Sequence, residues 1–290
     1  MSKIGDINED EIRVIGSEHT GSGHKPTPLH VALACCAAAI VLVIVIVIIS
    51  NRSNDGNTPP SNGHSIETED ISVQEQWLRN DDTSFPAATL RSDTVMDGIR
   101  IMLLRPMNAA PKLCVGHIDT NDRSIIFAAL AADIRRDNGK IVGAFVCEGE
   151  PRAWGVSKKG YCAIIGGNMA IGVADDSPYF ERATETGGYF FRQYPAVNQR
   201  HPQINNPENK ALRRALCSLN GDITIAVSLD RVLMNDFSQA LAHLGVDNAI
   251  FLIGGGAHGW YVDSQGSRIP LSNEPSWTNP NRNYLYFQKK

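Results

Sequence analysis

The spacing of apolar and polar positions divides the chain into one unbroken apolar run and a long stretch of short, interrupted ones. Val31 to Ile49 carries no charged residue and consists mainly of Ile, Val, Leu and Ala. At about 1.5 Å per residue, a helix of that length covers the roughly 30 Å hydrocarbon core of a bilayer. One transmembrane helix over residues 29–50 is therefore expected. Ile48 and Ser50 give no small-x-small site for signal peptidase, so the helix stays as an anchor. Lys3, Arg13 and Lys25 precede it, and Arg52 is the basic residue that follows closely. That bias puts the amino terminus in the cytoplasm and the carboxyl-terminal domain in the periplasm or outside the cell.

Residues 1–28 are polar with no sustained apolar period, the pattern of a disordered cytoplasmic tail. Residues 51–91 open on NRSNDGNTPPSNGH, whose Gly, Pro, Asn and Ser content marks a largely flexible linker. Trp77 and Leu78 either start a short packed helix or stay loose. The folded unit then spans residues 92–290. Ile99–Leu104 and Leu113–His117 read as strands, Asn121–Asn138 as a helix with Ile126, Leu130 and Ile134 four apart, and Lys140–Cys147 as a strand. Tyr161–Ile165 and Met169–Val173 form a hairpin around Gly166-Gly167-Asn168, and Tyr179–Thr186 a short helix stopped by Gly187-Gly188. Ala211–Leu219 and Asp222–Val227 flank Asn220-Gly221, a strong hairpin signal. Asn235–Leu244 reads as a helix capped by Asn235 and stopped by Gly245. Ala249–Ile253 is a strand leading into glycines, and Asn283–Gln288 a final edge strand. The fold class is α+β: a mixed or mostly antiparallel sheet with packed helices, preceded by one transmembrane helix.

Composition narrows the function more by exclusion. A formal net charge of -4 with no clustered basic face argues against nucleic acid. The eight histidines are scattered, no C-x-x-C or H-x-x-x-H pair occurs, and neither metal nor cofactor is expected. Cys114, Cys147, Cys162 and Cys217 can form two disulfides by three connectivities or remain buried thiols. Gly254-x-Gly256-x-x-Gly259 fits a dinucleotide fingerprint literally. The following Trp260-Tyr261-Val262-Asp263 reads as strand and turn, so the required helix is missing. No G-x-S-x-G elbow exists for serine catalysis.

The most informative string is LIGGGAHGW, Leu252 to Trp260, a run of glycines ending an apolar strand. Together with Ile141-Val142-Gly143-Ala144-Phe145, the basic pair Arg213-Arg214 ahead of the Asn220-Gly221 turn, and Gln239-Ala240-Leu241 through Gly245, it resembles the phosphodiester glycosidase family in order and spacing. The resemblance covers roughly Ile99 to Leu271. It implies cleavage of a sugar phosphodiester, with polar groups placing a nucleophile and cations holding the phosphate. It also implies a degenerate site, because Val142, Ile253 and Ala257 stand where the family has asparagine, aspartate and serine. Val and Ile can neither donate nor accept a proton.

What remains at the matching positions is Glu148, His258, Arg213 and Arg214 as candidate catalytic groups, and Gly143, Gly254, Gly255 and Gly256 as a ligand-binding backbone. Each has a plain structural counterpart: a solvated carboxylate, a hydrogen-bonded histidine, an ion-paired arginine. Arg213 and Arg214 point to opposite faces of one strand, so one is expected to meet solvent. Three outcomes follow: a hydrolase with a rebuilt site, a non-catalytic module binding a glycan or sugar phosphate, or an anchored structural envelope protein.

Overall fold

The computed structural model describes residues 77–206, 208–254, 256–272 and 279–290. The expected tail, membrane helix and most of the linker lie outside these residues, and so does Gly255. Among the described residues no helix is long and apolar enough to cross a membrane.

The chain opens with β1 (Thr89–Met96), β2 (Ile99–Pro106), β3 (Ala109–Val115), β4 (Ile125–Leu130), β5 (Phe145–Cys147) and β6 (Glu150–Ala153). It continues through β7 (Gly160–Ile165), β8 (Asn168–Val173), helix α1 (Tyr179–Glu185), β9 (Tyr189–Gln193), β10 (Pro195–Asn198) and β11 (His201–Pro202). Then come β12 (Arg214–Leu219), β13 (Asp222–Ser228), helix α2 (Met234–His243), β14 (Val246–Leu252), β15 (Gly259–Val262), β16 (Arg268–Ser272) and β17 (Asn283–Lys289).

These strands form three sheets in the orders β1-β2-β13-β12-β14-β10-β11, β16-β15-β4-β17-β3 and β6-β5-β9-β7-β8. Their pairings are antiparallel, both within hairpins such as β1–β2 and between strands distant in sequence such as β4 and β17. All three turn one face onto a shared core that holds Leu104, Leu216 and Ile250 of the first sheet, Phe127 and Phe287 of the second, and Phe145 and Phe191 of the third. Their outer faces differ. Helix α2 covers that of the first sheet with Phe237 and Leu241, and α1 covers that of the third with Tyr179 and Ala183. On the second sheet the outer face instead gathers Leu130, Trp260 and Tyr284, with Ile253 and Ala257 of the glycine turn packed against them.

Several expected elements fall where the pattern put them. Asn220-Gly221 and Gly166-Gly167 are two-residue turns with both residues in the left-handed region, at φ of 53° and 84° and of 57° and 78°. Helix α1 and the stop at Gly245 also agree.

Others do not. The expected helix Asn121–Asn138 is strand β4 with a loop on either side. Ile125–Leu130 is buried at every position because it lies between β15 and β17 with both faces covered, and such a strand reads as a continuous apolar run. A helix would stack Ile126 on Leu130; the structure sends them to different clusters. Asn283–Gln288 is not an edge strand, since β17 sits between β3 and β4. The strand expected over Lys140–Cys147 shortens to Phe145–Cys147, with Ile141 in an isolated bridge to Ile134. Asn235 does not cap α2: Leu233 holds the cap position, and the Asn235 side chain accepts from the Asn205 amide at 2.8 Å. Packing begins well before Ser92, because Leu78 bridges Met169 and β1 starts at Thr89.

Candidate functional site

The glycine turn forms where β14 leaves the first sheet and the chain crosses to β15 of the second. A side chain at Gly254 would put its first carbon 2.5 Å from the Leu212 carbonyl oxygen and 3.2 Å from the Arg213 α-carbon, so only glycine lets the turn pass this close to the start of β12. Gly256, by contrast, is exposed with open space around it. The same test at Gly259 meets the Ala128 carbonyl at 2.8 Å and the Arg214 guanidinium at 3.3 Å. Arg214, only 2% exposed, therefore lies inside the turn, and its Nη1 donates to the Ile253 carbonyl at 3.5 Å.

Arg213 points the other way, but neither arginine meets solvent. Its Nε donates to the Val232 carbonyl at 3.3 Å and its Nη2 to Asn209, which straps the loop before β12 to the loop after β13. That is a structural role. His258 is 6% exposed, with Nδ1 3.1 Å from the Tyr284 hydroxyl and its ring 5.2 Å from that of Trp260. Arg282 donates to the same hydroxyl at 3.5 Å, and the Arg268 guanidinium stacks 3.8 Å over the Trp260 ring. Trp260 is thus enclosed on both sides and offers no open platform for a sugar.

Glu148 and Gly143 stand elsewhere. Glu148 is exposed in the β5–β6 turn with a left-handed φ of 54°, and accepts a hydrogen bond from Tyr189 Oη at 3.4 Å. Tyr189 opens β9 of the third sheet, and the Glu148 charge adds to the burial that pushes the Tyr286 hydroxyl up to about 12. Gly143, at φ 83°, packs against Ser157 and Arg192, and Val142 donates its amide to the Asp133 carbonyl at 2.8 Å.

The structure adds a feature absent from the sequence reading. Lys158 and Asp133 form an ion pair whose side chains are 6% and 21% exposed. Lys158 also donates to Gln193 Oε1 at 2.8 Å and lies 4.5 Å over the Tyr194 ring. Its φ of 70° is unusual for a residue with a side chain, and Arg192 holds that backbone through the Lys158 carbonyl. Burial lowers the Lys158 ammonium below the usual lysine range, against the opposing pull of Asp133. A lone acid ending the apolar run IIFAALAA was the available signal, and no spacing rule joins it to a lysine so distant in sequence.

One short segment ties both regions together. The Leu130 carbonyl accepts the Ile253 amide at 3.3 Å and the Ala131 carbonyl accepts Gln193 Nε2 at 3.3 Å. Asn283 brackets Ala132, accepting its amide at 2.7 Å and donating to its carbonyl at 3.1 Å, and Asp133 follows. The glycine turn and Asp133 are thus held by one stretch of backbone, Leu130 to Asp133. Among the described residues no group of His, Cys, Asp and Glu is placed to hold a metal. A separate open cleft of 850 Å³ runs past Arg91, Arg105 and Tyr261, but its arginines are already paired with Asp93 and Asp222.

The fold bears a distant resemblance to that of a phosphodiester glycosidase domain. The zebrafish N-acetylglucosamine-1-phosphodiester alpha-N-acetylglucosaminidase catalytic domain, solved in a form auto-inhibited by its pro-peptide, superimposes with a TM-score of 0.53 at 14% identity, covering 73% of this chain and 87% of that one. A hypothetical protein from Synechocystis gives a TM-score of 0.45 at 12% identity over 69% of this chain and 62% of that one. No protein-family profile and no curated protein matches the sequence. At these identities the likeness concerns the fold.

Proposed function

We propose that this domain binds a sugar phosphodiester at the glycine turn without hydrolysing it at a useful rate, and that it does so outside the cytoplasm, tethered by the apolar segment Val31–Ile49. The observation that carries the reading is Arg214, a guanidinium enclosed by the turn between the Ile253 carbonyl and Gly259, where a phosphate oxygen could take charge-assisted hydrogen bonds. Ile253 supports the second half. It occupies the position of the family's aspartate, yet packs with Leu130 and Trp260 in an apolar cluster and offers no proton.

A rebuilt hydrolase is the second reading, favoured by Asp133, an acid three residues beyond the carbonyl that holds Ile253. Titration calorimetry of the full-length protein in detergent with a methyl phosphodiester of N-acetylglucosamine 1-phosphate tests both. Binding that is lost in Arg214→Met, with no sugar released over hours, is the expected result. Sugar release that vanishes in Asp133→Asn, in protein that stays folded by circular dichroism, establishes the hydrolase instead.

A further inference from the structure

We propose that two copies of this chain pair through β1, antiparallel and two-fold symmetric about Ser92, so that Arg91 of each copy stands opposite Asp93 of the other. β1 is the outermost strand of the first sheet, and β2 is its neighbour there. Asp97-Gly98 closes the β1–β2 hairpin as a two-residue turn, so Met96 and Ile99 form its first hydrogen-bonded pair. Strict alternation then sends the amides and carbonyls of Leu90, Ser92, Thr94 and Met96 to β2. Those of Thr89, Arg91, Asp93 and Val95 point out of the sheet. Among the described residues no backbone hydrogen bond reaches these outward groups, and Arg91, Asp93 and Val95 are exposed.

Charge selects the partner and the register. Registers centred on the exposed stretch place Arg91 opposite the partner's Arg91, the partner's Asp93 or the partner's Val95. The first sets guanidinium against guanidinium, and the third sets Asp93 against the partner's Asp93. Like charges directly opposite destabilise a strand pair, whereas opposite charges stabilise it. The middle register gives two opposite-charge pairs and four main-chain hydrogen bonds between Arg91 and Asp93 of the two copies.

Within one chain the same two side chains already meet on one face, Arg91 Nε donating to Asp93 Oδ1 at 3.0 Å and Nη2 to Oδ2 at 2.7 Å. In the pair, each charge therefore has an opposite charge both along its own strand and across from it. That face is turned toward the core, since Arg91 pairs with Leu104 and reaches the Tyr261 hydroxyl at 3.4 Å. Inward-facing charges on an edge strand normally repel other strands. Here they reject the competing self-registers and any strand without the matching charges, which leaves a second copy as the fitting partner. Val95, 62% exposed beside this charge pair, gains a neighbouring strand in the same step.

Ser92 at the two-fold falls in a non-hydrogen-bonded pair, with α-carbons about 4.5 Å apart and within reach of a disulfide. Thr94 stands opposite the partner's Leu90, about 14 Å along the strand from its own copy. Full-length protein in detergent, oxidised with copper phenanthroline, should therefore link Ser92→Cys into a species of twice 31.6 kDa well above the parent's background, and Thr94→Cys should not rise above it. Sedimentation equilibrium supplies the second reading. Arg91→Asp and Asp93→Arg should each weaken the dimer about tenfold, and the two changes together should restore it, because opposite charges then face each other again. A parent that stays monomeric at tens of micromolar, or a dimer indifferent to both single changes, overturns the proposal. So does equal linking of the two cysteine variants, which would mean that the edges meet in no fixed register.

Discussion

Asn80 and Ile223 exchange two hydrogen bonds, the side-chain amide donating to the Ile223 carbonyl at 2.7 Å and the Ile223 amide donating to Asn80 Oδ1 at 2.7 Å. The same side chain donates to the Pro106 carbonyl at 2.9 Å, so one buried residue closes three backbone groups of the β2 and β13 ends. Asn80→Ala leaves those groups unsatisfied in the interior and should cost about 3 kcal/mol, read as a lower midpoint in urea. A chain beginning at Ser92 loses this residue, Leu78 and part of β1, and should lose cooperative unfolding. If it unfolds with the parent's stability, the packed segment before Ser92 carries nothing.

The sequence declared the hairpins and concealed the buried strands. Asn220-Gly221 and Gly166-Gly167 need two left-handed residues in succession, and Asn and Gly tolerate that conformation at little cost. Asp97-Gly98 is the same signal, with φ of 51° and 78°, and it joins β1 to β2. Starting the folded unit at Ser92 cuts through the first strand of that hairpin. Strand β4 escaped because a segment covered on both faces loses the alternation that marks a strand, and its isoleucines happen to fall at helical spacing. Strand β17 looked like an edge because its neighbours, β3 and β4, lie far back in the sequence.

At the site, the same limit held. Gly254 and Arg214 come together because one strand pair brings them together, Arg214 against Leu252, and that pairing follows from legible elements. Glu148 was reached by its order in the chain, but its loop turns toward Tyr189. Asp133 and Lys158 meet only through the packing of three sheets, which no local pattern encodes.

The Asp133–Lys158 pair makes a stability prediction. Removing one member leaves the other charge in a poorly solvated place, so Asp133→Asn should destabilise the domain by about 3 kcal/mol, somewhat less for the part of Asp133 that still sees water. Replacing both with apolar residues of similar volume, Asp133→Leu with Lys158→Met, should recover much of that loss. Measured by denaturant midpoints, a double variant weaker than the single one would mean that the pair stabilises the fold by more than it costs to desolvate.

Alkaline pH should unfold the domain early. Burial pushes the thiols of Cys114 and Cys217 up to about 12 and that of Cys147 up to about 11, from an ordinary value of 9.0. The folded state thus keeps protons that the unfolded chain releases, and the associated stability is full below pH 9 and lost as pH rises through the folded values. Each such proton contributes a slope of up to about 1.4 kcal/mol per pH unit. The lowered Lys158 ammonium works the other way, since there the unfolded chain binds the extra proton. Denaturant midpoints should decline from about pH 9 to 11, and Cys217→Ala should flatten that decline relative to the parent. A flat profile would show that these thiols do not stay protonated in the folded state.

The last prediction concerns Ile253. Its amide is fixed by the Leu130 carbonyl at 3.3 Å and its carbonyl by Arg214 at 3.5 Å, so its backbone is held at the turn proposed to bind the phosphodiester. The side chain is half-buried against Leu130 and Trp260. The unaltered protein should release no sugar above background from a sugar phosphodiester, because one missing preorganised group commonly costs about 3 kcal/mol of transition-state stabilisation, more than a hundredfold in rate. Ile253→Asp introduces a carboxylate on a backbone whose carbonyl already accepts from Arg214, and against Leu130 and Trp260 it costs stability unless it turns to that guanidinium. That variant, alone or with Val142→Asn, should bind the phosphodiester more weakly, because the new carboxylate competes with phosphate for the same guanidinium. Any sugar it releases should be missing from Ile253→Asn, which keeps the shape of the carboxylate without its charge. Tighter binding by the acidic variant would mean that Arg214 is not the phosphate ligand, and turnover by the unaltered protein would mean that the reacting groups lie elsewhere, with Asp133 the first to test.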